Sequence, residues 1–197
     1  TLAFSLIFLI QIASAVDFAY VVKNSVAVDN YLLNEITNLG YSYNIIYESN
    51  VSSTNFADYR MIIVGNQNLD NPKSIPVQDY RSMIVNSYDY YKKSLDYQLG
   101  WSSYPGSLTS PSLLEVYDLS SPITEDIPIG FRAYTISEPS VKVTYLKGQK
   151  PTGMRIVVST QSSLSDSVIA TINPGVKFLN GNTAQERNLF FGITNAR

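Results

Sequence analysis

The chain has 197 residues, of which 45% are hydrophobic, and its 14 basic and 16 acidic residues leave a net charge of −2 without a basic cluster. This charge argues against a nucleic-acid partner, because phosphate binding requires concentrated Lys and Arg. The sequence contains no Cys and no His, which excludes disulfides, a Ser-His-Asp triad, a Cys-His pair and a His-ligated zinc site within the chain.

The chain begins with an uncharged apolar stretch, TLAFSLIFLIQIASA. Its apolar part suits the core of a signal peptide but is short for a membrane span, which needs roughly 20 residues. The stretch ends in Ala13-Ser14-Ala15, the small-x-small pattern of a cleavage site. We therefore predict a signal peptide over residues 1–15 and an exported domain over residues 16–197, in the extracellular space or cell envelope and without a membrane span. A buried core helix and a pilin-type assembly helix over residues 1–39 are the alternatives.

The first half of the domain alternates strand-like and helical segments. Phe18–Lys23 (FAYVVK) predicts a buried strand. A helix is predicted next, with Gly40 at its left-handed end, because apolar residues recur at helical spacing at Val28, Leu32, Leu33, Ile36 and Leu39. Three more strands are predicted over Ser42–Tyr47, Tyr59–Val64 and Ser82–Val85. This alternation requires a parallel sheet covered by helices, an α/β fold.

The second half is richer in strands. They are predicted over Leu113–Tyr117, Arg132–Ile136, Val141–Leu146, Arg155–Ser159 and Leu189–Ile193. Val168–Ile172 is ambiguous between helix and strand. Lys150-Pro151-Thr152-Gly153 predicts a turn, and Asn180-Gly181-Asn182 can form a tight hairpin. We expect additional β-hairpins in this half, and a domain that continues beyond Arg197.

Four short segments occur together in this pattern. They are FAYVV with its helix ending at Leu39-Gly40-Tyr41, FADYRMIIVG over Phe56–Gly65, Ser121-Pro122-Ile123-Thr124 with Ile127-Pro128-Ile129-Gly130, and Arg187–Gly192. The combination resembles the class I glutamine-amidotransferase-like superfamily, especially its ThuA-like and secreted branches. The resemblance implies a flavodoxin-like or Rossmann-like, mostly parallel sheet with flanking helices.

Catalytic members of that superfamily carry a Cys on a strand-to-helix elbow, with a His and an acidic residue downstream. The corresponding elbow here is Asn86-Ser87-Tyr88. No His is present to activate Ser87, so the resemblance implies a catalytically degenerate member. The alternative role of Ser87 is to cap the segment that follows it.

Polar residues follow three of the predicted parallel strands. Ligands bind beyond the carboxyl ends of the strands in such sheets. Amides and hydroxyls there suit a neutral polar ligand, although they also commonly satisfy loop backbone groups. No Gly-rich phosphate loop follows the first strand, which argues against nucleotide and flavin, and we predict no cofactor and no metal site. The predicted ligand-binding residues at these strand ends are Asn24, Asn66, Gln67, Asn86, Ser87 and Tyr88.

Aromatic residues are concentrated between residues 88 and 104. Such rings stack on the C–H faces of sugars and suit contacts with a partner protein, so we add Trp101 to the predicted ligand-binding residues. The alternative is that these rings pack over the sheet. The residues concerned are Tyr88, Tyr90, Tyr91, Tyr97, Trp101 and Tyr104.

Two further features bear on function. Asn50-Val51-Ser52 is an acceptor sequence for N-glycosylation at Asn50. A carboxylate pair for glycoside hydrolysis is available in principle from Asp79, Asp89, Asp96 and Asp118. We predict a non-catalytic, exported binding or scaffolding module for carbohydrate or a surface protein. A carboxylate-dependent hydrolase of surface glycans and a filament subunit are the alternatives.

Overall fold

The structure, a computed structural model, describes residues 16–67, 69–85, 100–108, 112–118, 120–121, 133–136, 141–160 and 163–195. These residues contain one α-helix, α1 (Asn30–Asn38), and twelve strands. In chain order the strands are β1 (Phe18–Val22), β2 (Tyr43–Tyr47), β3 (Met61–Val64), β4 (Ser82–Val85), β5 (Tyr104–Leu108), β6 (Ser112–Val116), β7 (Ala133–Ile136), β8 (Val141–Lys147), β9 (Arg155–Thr160), β10 (Ser163–Ile172), β11 (Asn188–Phe191) and β12 (Ile193–Asn195).

Five parallel strands form the first part of the sheet, in the order β2-β1-β3-β4-β11. The order of a flavodoxin-like sheet is 2-1-3-4-5, and here β11 occupies the fifth position. The predicted α/β fold with a flavodoxin-like sheet is thereby confirmed: these five strands are parallel, whereas the strands that extend the sheet beyond β11 are antiparallel. The chain crosses from β2 to β3 over β1, so the strand order reverses between β1 and β3.

Helix α1 ends before Gly40 as the sequence predicts, and it begins at Asn30, two residues after Val28, the first apolar residue of the predicted pattern. At its start, one carboxylate oxygen of Asp29 accepts hydrogen bonds from the backbone N–H groups of Tyr31 and Leu32. At its end, Gly40 has a φ of 82° and donates to the carbonyl of Thr37, while the next N–H bonds to Ile36 O. This pair of bonds is a Schellman motif, which closes the helix through a left-handed residue.

The sheet has helix on one face and turns on the other. Leu33 and Ile36 of α1 pack against Tyr20, Val22 and Ile63 on one face. The opposite face is covered by 3-10 turns at Glu48–Ser53, Phe56–Asp58 and Pro72–Ser74, which contribute Val51, Phe56 and Pro72 as buried residues.

The flanking helices that we predicted for the sheet are therefore fewer than expected, with α1 alone in the described residues. The segment between β2 and β3 explains why. Ser53 and Thr54 donate their hydroxyls to the carbonyl of Asn50, and the Asn55 side chain accepts from the N–H of Ala57. Such bonds compete with a continuous helix.

The second half extends the sheet with antiparallel strands in the order β11-β10-β9-β6-β7. Strand β8 pairs with β5 and β12 and meets β10 at one register position. The ambiguous segment Val168–Ile172 is part of strand β10, and the turn at Lys150–Gly153 connects β8 to β9 as predicted. Strands β5 and β12 were not predicted.

Strand β1 decides against the filament alternative. Phe18–Val22 lies inside the sheet, paired on both sides by β2 and β3, and its last four residues are buried. A single assembly helix over residues 1–39 is therefore wrong. Within the described ranges, the structure contains no helix with both the length and the apolar character to cross a membrane.

Candidate functional site

A cleft of about 440 Å³ lies beyond the carboxyl ends of β1, β3 and β4, beside the point where the strand order reverses. This is where open parallel sheets bind ligands. We call it the polar cleft. It is lined by Tyr20, residues 26–32, Gly65, Asn66, Gln67 and Val85.

Gly65 and Tyr20 form the floor of the polar cleft. The N–H of Gly65 donates to Val21 O at 2.9 Å, which continues the pairing of β1 and β3. A Cβ at position 65 would lie 3.0 Å from Val22 Cγ1 and 3.1 Å from Tyr20 Oη. Burial raises the pKa of Tyr20, whose hydroxyl accepts the backbone N–H of Asp29 at 3.2 Å. The floor is thus closely packed, with a phenol that remains neutral at physiological pH.

Gln67 lines the polar cleft but uses its side-chain amide on the neighbouring loop. Its Oε1 accepts the backbone N–H of Lys23 at 3.2 Å, and its Nε2 donates to Ala27 O at 2.6 Å. Lys23 Nζ also lies 2.6 Å from an Asp70 carboxylate oxygen. Gln67 therefore holds the loop after β1 in place. This is the alternative role named above, in which the side chain hydrogen-bonds to backbone groups of a loop.

Asn24 and Asn66 differ in what their amides do. The Asn24 side chain accepts the N–H of Val26 at 3.2 Å and caps the 3-10 turn at Ser25–Ala27, in a shallow depression next to the polar cleft. Asn66 lies within the polar cleft and is exposed. Its side-chain amide makes no hydrogen bond to another part of the described chain. Among the predicted residues that the structure describes, Asn66 is thus the best placed to bind a ligand.

Three rim residues were missed by the sequence analysis. Tyr31 and Val26 are 52% and 93% exposed, and the adjacent Asn30 is also exposed. All three line the polar cleft. The sequence does contain a feature that could have identified Tyr31. It is a large aromatic residue in the first turn of α1, and it lies outside the apolar side of the helix formed by residues from Val28 to Leu39.

Trp101 lies away from the cleft surface. Its side chain is 0% exposed, with ring centroids of Phe178 and Phe190 at 5.7 Å and 6.2 Å. No face of this ring is open to a sugar, so Trp101 has the packing role that we considered as its alternative. The predicted ligand-binding residues Asn86, Ser87 and Tyr88 lie outside the described residues.

The acidic residues do not form a pair in the described part of the cleft. Asp29 is its one acidic lining residue, and its carboxylate caps α1. Asp79 is exposed, and Asp118 forms an ion pair with Arg155. Asp89 and Asp96 lie outside the described residues. In the described ranges no group of three or more acidic side chains is arranged to hold a metal ion.

Asp118 is held ionised by its neighbours. The hydrogen bond from Arg155 lowers its pKa from 3.8 to about 2, and bonds from the Ser120 hydroxyl and N–H act in the same direction. The Arg155 guanidinium also donates to the Ser120 hydroxyl at 2.6 Å. This arrangement connects the end of β6 to β9 and serves the fold. Asn50, the predicted glycosylation residue, is exposed in the turn Glu48–Ser53.

No protein-family model matches the chain, and a search of curated proteins finds no match. The fold is nevertheless similar to solved structures. It matches the carbohydrate deacetylase Agd3 with a TM-score of 0.54 and 11% identity over 92% of this chain. The match covers 30% of the deacetylase, so this chain spans less than a third of that protein's length.

Two smaller proteins match over most of their own lengths. A glutamine amidotransferase from Thermotoga maritima has a TM-score of 0.51 and 6% identity, covering 91% of this chain and 76% of the amidotransferase. A cytoplasmic protein from Salmonella typhimurium has a TM-score of 0.52 and 9% identity, with 91% and 87% covered. The expected resemblance is thereby confirmed at the level of the fold: this chain has a glutamine-amidotransferase-like, flavodoxin-like α/β fold.

Proposed function

We propose that this protein is a non-catalytic binding module for a neutral polar ligand, with a carbohydrate as the ligand class. The observation that carries the proposal is the polar cleft, which combines an exposed aromatic ring, Tyr31, with the exposed amides of Asn30 and Asn66. Aromatic rings stack on the C–H faces of sugars, and amides both donate to and accept from hydroxyl groups.

The charge of the cleft supports a neutral ligand. None of its described lining residues is Lys or Arg, and Asp29 already accepts two backbone hydrogen bonds. The similarity of the fold to part of a carbohydrate deacetylase is in accord with a carbohydrate ligand. Proteins that share a fold carry many different functions, so the residues of the cleft are what support the proposal.

We also propose that the protein is exported, as the apolar segment 1–15 and its Ala13-Ser14-Ala15 ending suggest. Expression of the precursor in a secreting host, followed by N-terminal sequencing of the product, tests this. A mature chain that begins at Val16 is expected. Retention of the uncleaved precursor inside the cell would contradict the proposal.

A glycan-array screen tests the binding proposal. We expect binding to one class of neutral glycan and an affinity loss of at least about fivefold in Tyr31→Ala and in Asn66→Ala, because each removes a contact worth roughly 1 kcal/mol. Tyr41→Ala is the matched control. Tyr41 is 43% exposed but lies past the opposite end of α1, against Phe18.

Two results of the glycan-array screen would contradict the proposed binding site. They are a blank array with a folded sample and binding that both cleft variants retain.

The hydrolase alternative is kept as a second candidate because a carbohydrate deacetylase shares the fold. Mass spectrometry of bound glycans after incubation separates the two. A mass change that is absent with Asp29→Asn would favour hydrolysis, and unaltered glycans favour binding.

A further inference from the structure

A second cleft, of about 380 Å³, opens on the α1 side of the sheet. We call it the apolar cleft. Its walls are Leu32 from α1 and the four sheet residues Met83, Val85, Phe191 and Ile193, and its rim carries Asp29, Tyr31 and Glu35. All five wall residues are only half-buried.

The apolar cleft exists because α1 covers one part of the sheet. Leu33 and Ile36, the buried residues of α1, pack over β1 and β3. Met83 and Val85 are two residues apart on β4, so they point to the same face, and Phe191 of β11 is paired with Val85.

The two clefts are adjacent. Asp29, Tyr31, Leu32 and Val85 line both of them. Tyr31 therefore stands at their junction with more than half of its surface exposed.

We propose that the ligand is amphipathic, with a hydroxylated head in the polar cleft and an alkyl or similar apolar group in the apolar cleft. This inference rests on the proposed function and specifies its ligand class as a glycoside with an apolar aglycone. The hydroxyl groups of the head meet the amides of Asn30 and Asn66. The apolar group displaces water from Met83, Val85 and Phe191, which is favourable in proportion to the area covered.

The charge of the rim selects against acidic amphiphiles. Glu35 is exposed, and neither it nor Asp29 belongs to an ion pair in the described chain. No Lys or Arg is among the described lining residues of either cleft. An anionic head in the polar cleft would therefore meet the carboxylate of Asp29, with that of Glu35 on the adjoining rim, whereas an uncharged sugar would meet no such repulsion.

Calorimetric titration of the full chain with methyl, butyl, hexyl and octyl β-D-glucopyranoside, below their micelle concentrations, tests the inference. We expect the affinity to rise about two- to fourfold for each added methylene until the apolar cleft is filled. Octyl β-D-glucuronide, which adds a carboxylate to the same head, is expected to bind several-fold more weakly than octyl glucoside. Octan-1-ol, which lacks the sugar, is expected to bind more weakly as well.

Variants of each cleft separate its contribution. Met83→Gln keeps the length of the side chain but adds an amide to the apolar wall. Ile193→Thr adds a hydroxyl to the same wall and keeps a β-branched side chain. Each is expected to flatten the dependence on chain length while methyl glucoside binds as before. Asn66→Ala is expected to weaken all four glucosides by the same factor and to leave the chain-length dependence unchanged.

Three results would overturn the inference: affinity that does not depend on chain length, a dependence that survives in both Met83→Gln and Ile193→Thr, or octan-1-ol binding as tightly as octyl glucoside. A glycan array that is positive and sensitive to Tyr31→Ala, together with glucosides of equal affinity, would leave the proposed function in place and remove only the apolar group. A blank array together with length-independent binding would remove both.

Discussion

Asp118 shows how a single residue couples the stability of this protein to pH. Its side chain is 15% exposed and that of its partner Arg155 is 45% exposed. Because its pKa falls from 3.8 to about 2 in the folded protein, the folded state favours the ionised carboxylate. The resulting stability is complete above the unfolded pKa and is lost as the pH falls from about 4 through 2.

We expect Asp118→Asn to lower the free energy of unfolding by roughly 1 kcal/mol at pH 7, since solvent around Arg155 screens the pair. The difference from the native protein should shrink below pH 4. Urea unfolding at pH 7, 5, 4 and 3 measures it. Asp79→Asn, at an exposed acidic residue outside the described ion pairs, is the control. A difference for Asp118→Asn that stays constant down to pH 3 would contradict the assignment.

The end of α1 determines how the chain enters β2, and it depends on the backbone of Gly40. Its φ of 82° lies in the left-handed region, and nothing is within 4 Å of the position that a Cβ would occupy. The restriction therefore comes from the local backbone conformation and not from contact with other parts of the described chain. Two Schellman hydrogen bonds, from Gly40 and Tyr41, depend on this conformation.

We expect Gly40→Ala to lower the free energy of unfolding by about 1 kcal/mol, the penalty of a side chain in the left-handed region. Gly40→Asn should lose less, because Asn tolerates that region. Equilibrium denaturation of the three proteins in guanidinium chloride measures both values. Equal stability of the Ala and Gly proteins would show that the helix end is not fixed by this residue.

At the scale of the whole molecule, the two halves of the described chain are joined by the parallel pairing of β4 with β11. Residues 82–85 of the first half pair in register with residues 188–191 of the second. At this position the buried Ser82 hydroxyl lies 2.7 Å from Asn188 Oδ1 and 3.1 Å from Val77 O. The main core cluster contains residues from both sides of this pairing, such as Ile84 and Phe190. We therefore expect the described parts to unfold as one unit.

Trp101 provides the measurement, because it is the one Trp of the sequence and packs in the shared core against Phe178 and Phe190. Its fluorescence and the far-UV circular dichroism should report the same thermal midpoint. Ser82→Ala leaves the buried Asn188 oxygen without this donor and should lower the free energy of unfolding by about 1–3 kcal/mol. Both probes should shift together, and midpoints that separate would contradict a single cooperative unit.

The sequence by itself determined the local elements of this protein. The period of its apolar residues located β1, α1 and β2 to within two residues, and Gly40 marked the helix end. It also placed Asn66 beyond the carboxyl end of β3, because this residue follows that strand closely and the β-α-β alternation makes the strands parallel. These features depend on neighbours in the chain, so a local pattern is sufficient to find them.

Only the tertiary structure decided which distant segments meet. Pairing of β11 with β4 is a contact between residues 106 positions apart at Ser82 and Asn188, and no local pattern encodes it. The same holds for Trp101, whose burial against Phe178 and Phe190 removes it from the ligand site. Tyr31 gained its position because α1 leaves β4 and β11 partly uncovered, which puts the ring between two clefts. The position of Tyr31 in the site depends on how α1 packs against the sheet. The residues next to Tyr31 in the sequence predict only that it lies on an exposed turn of a helix.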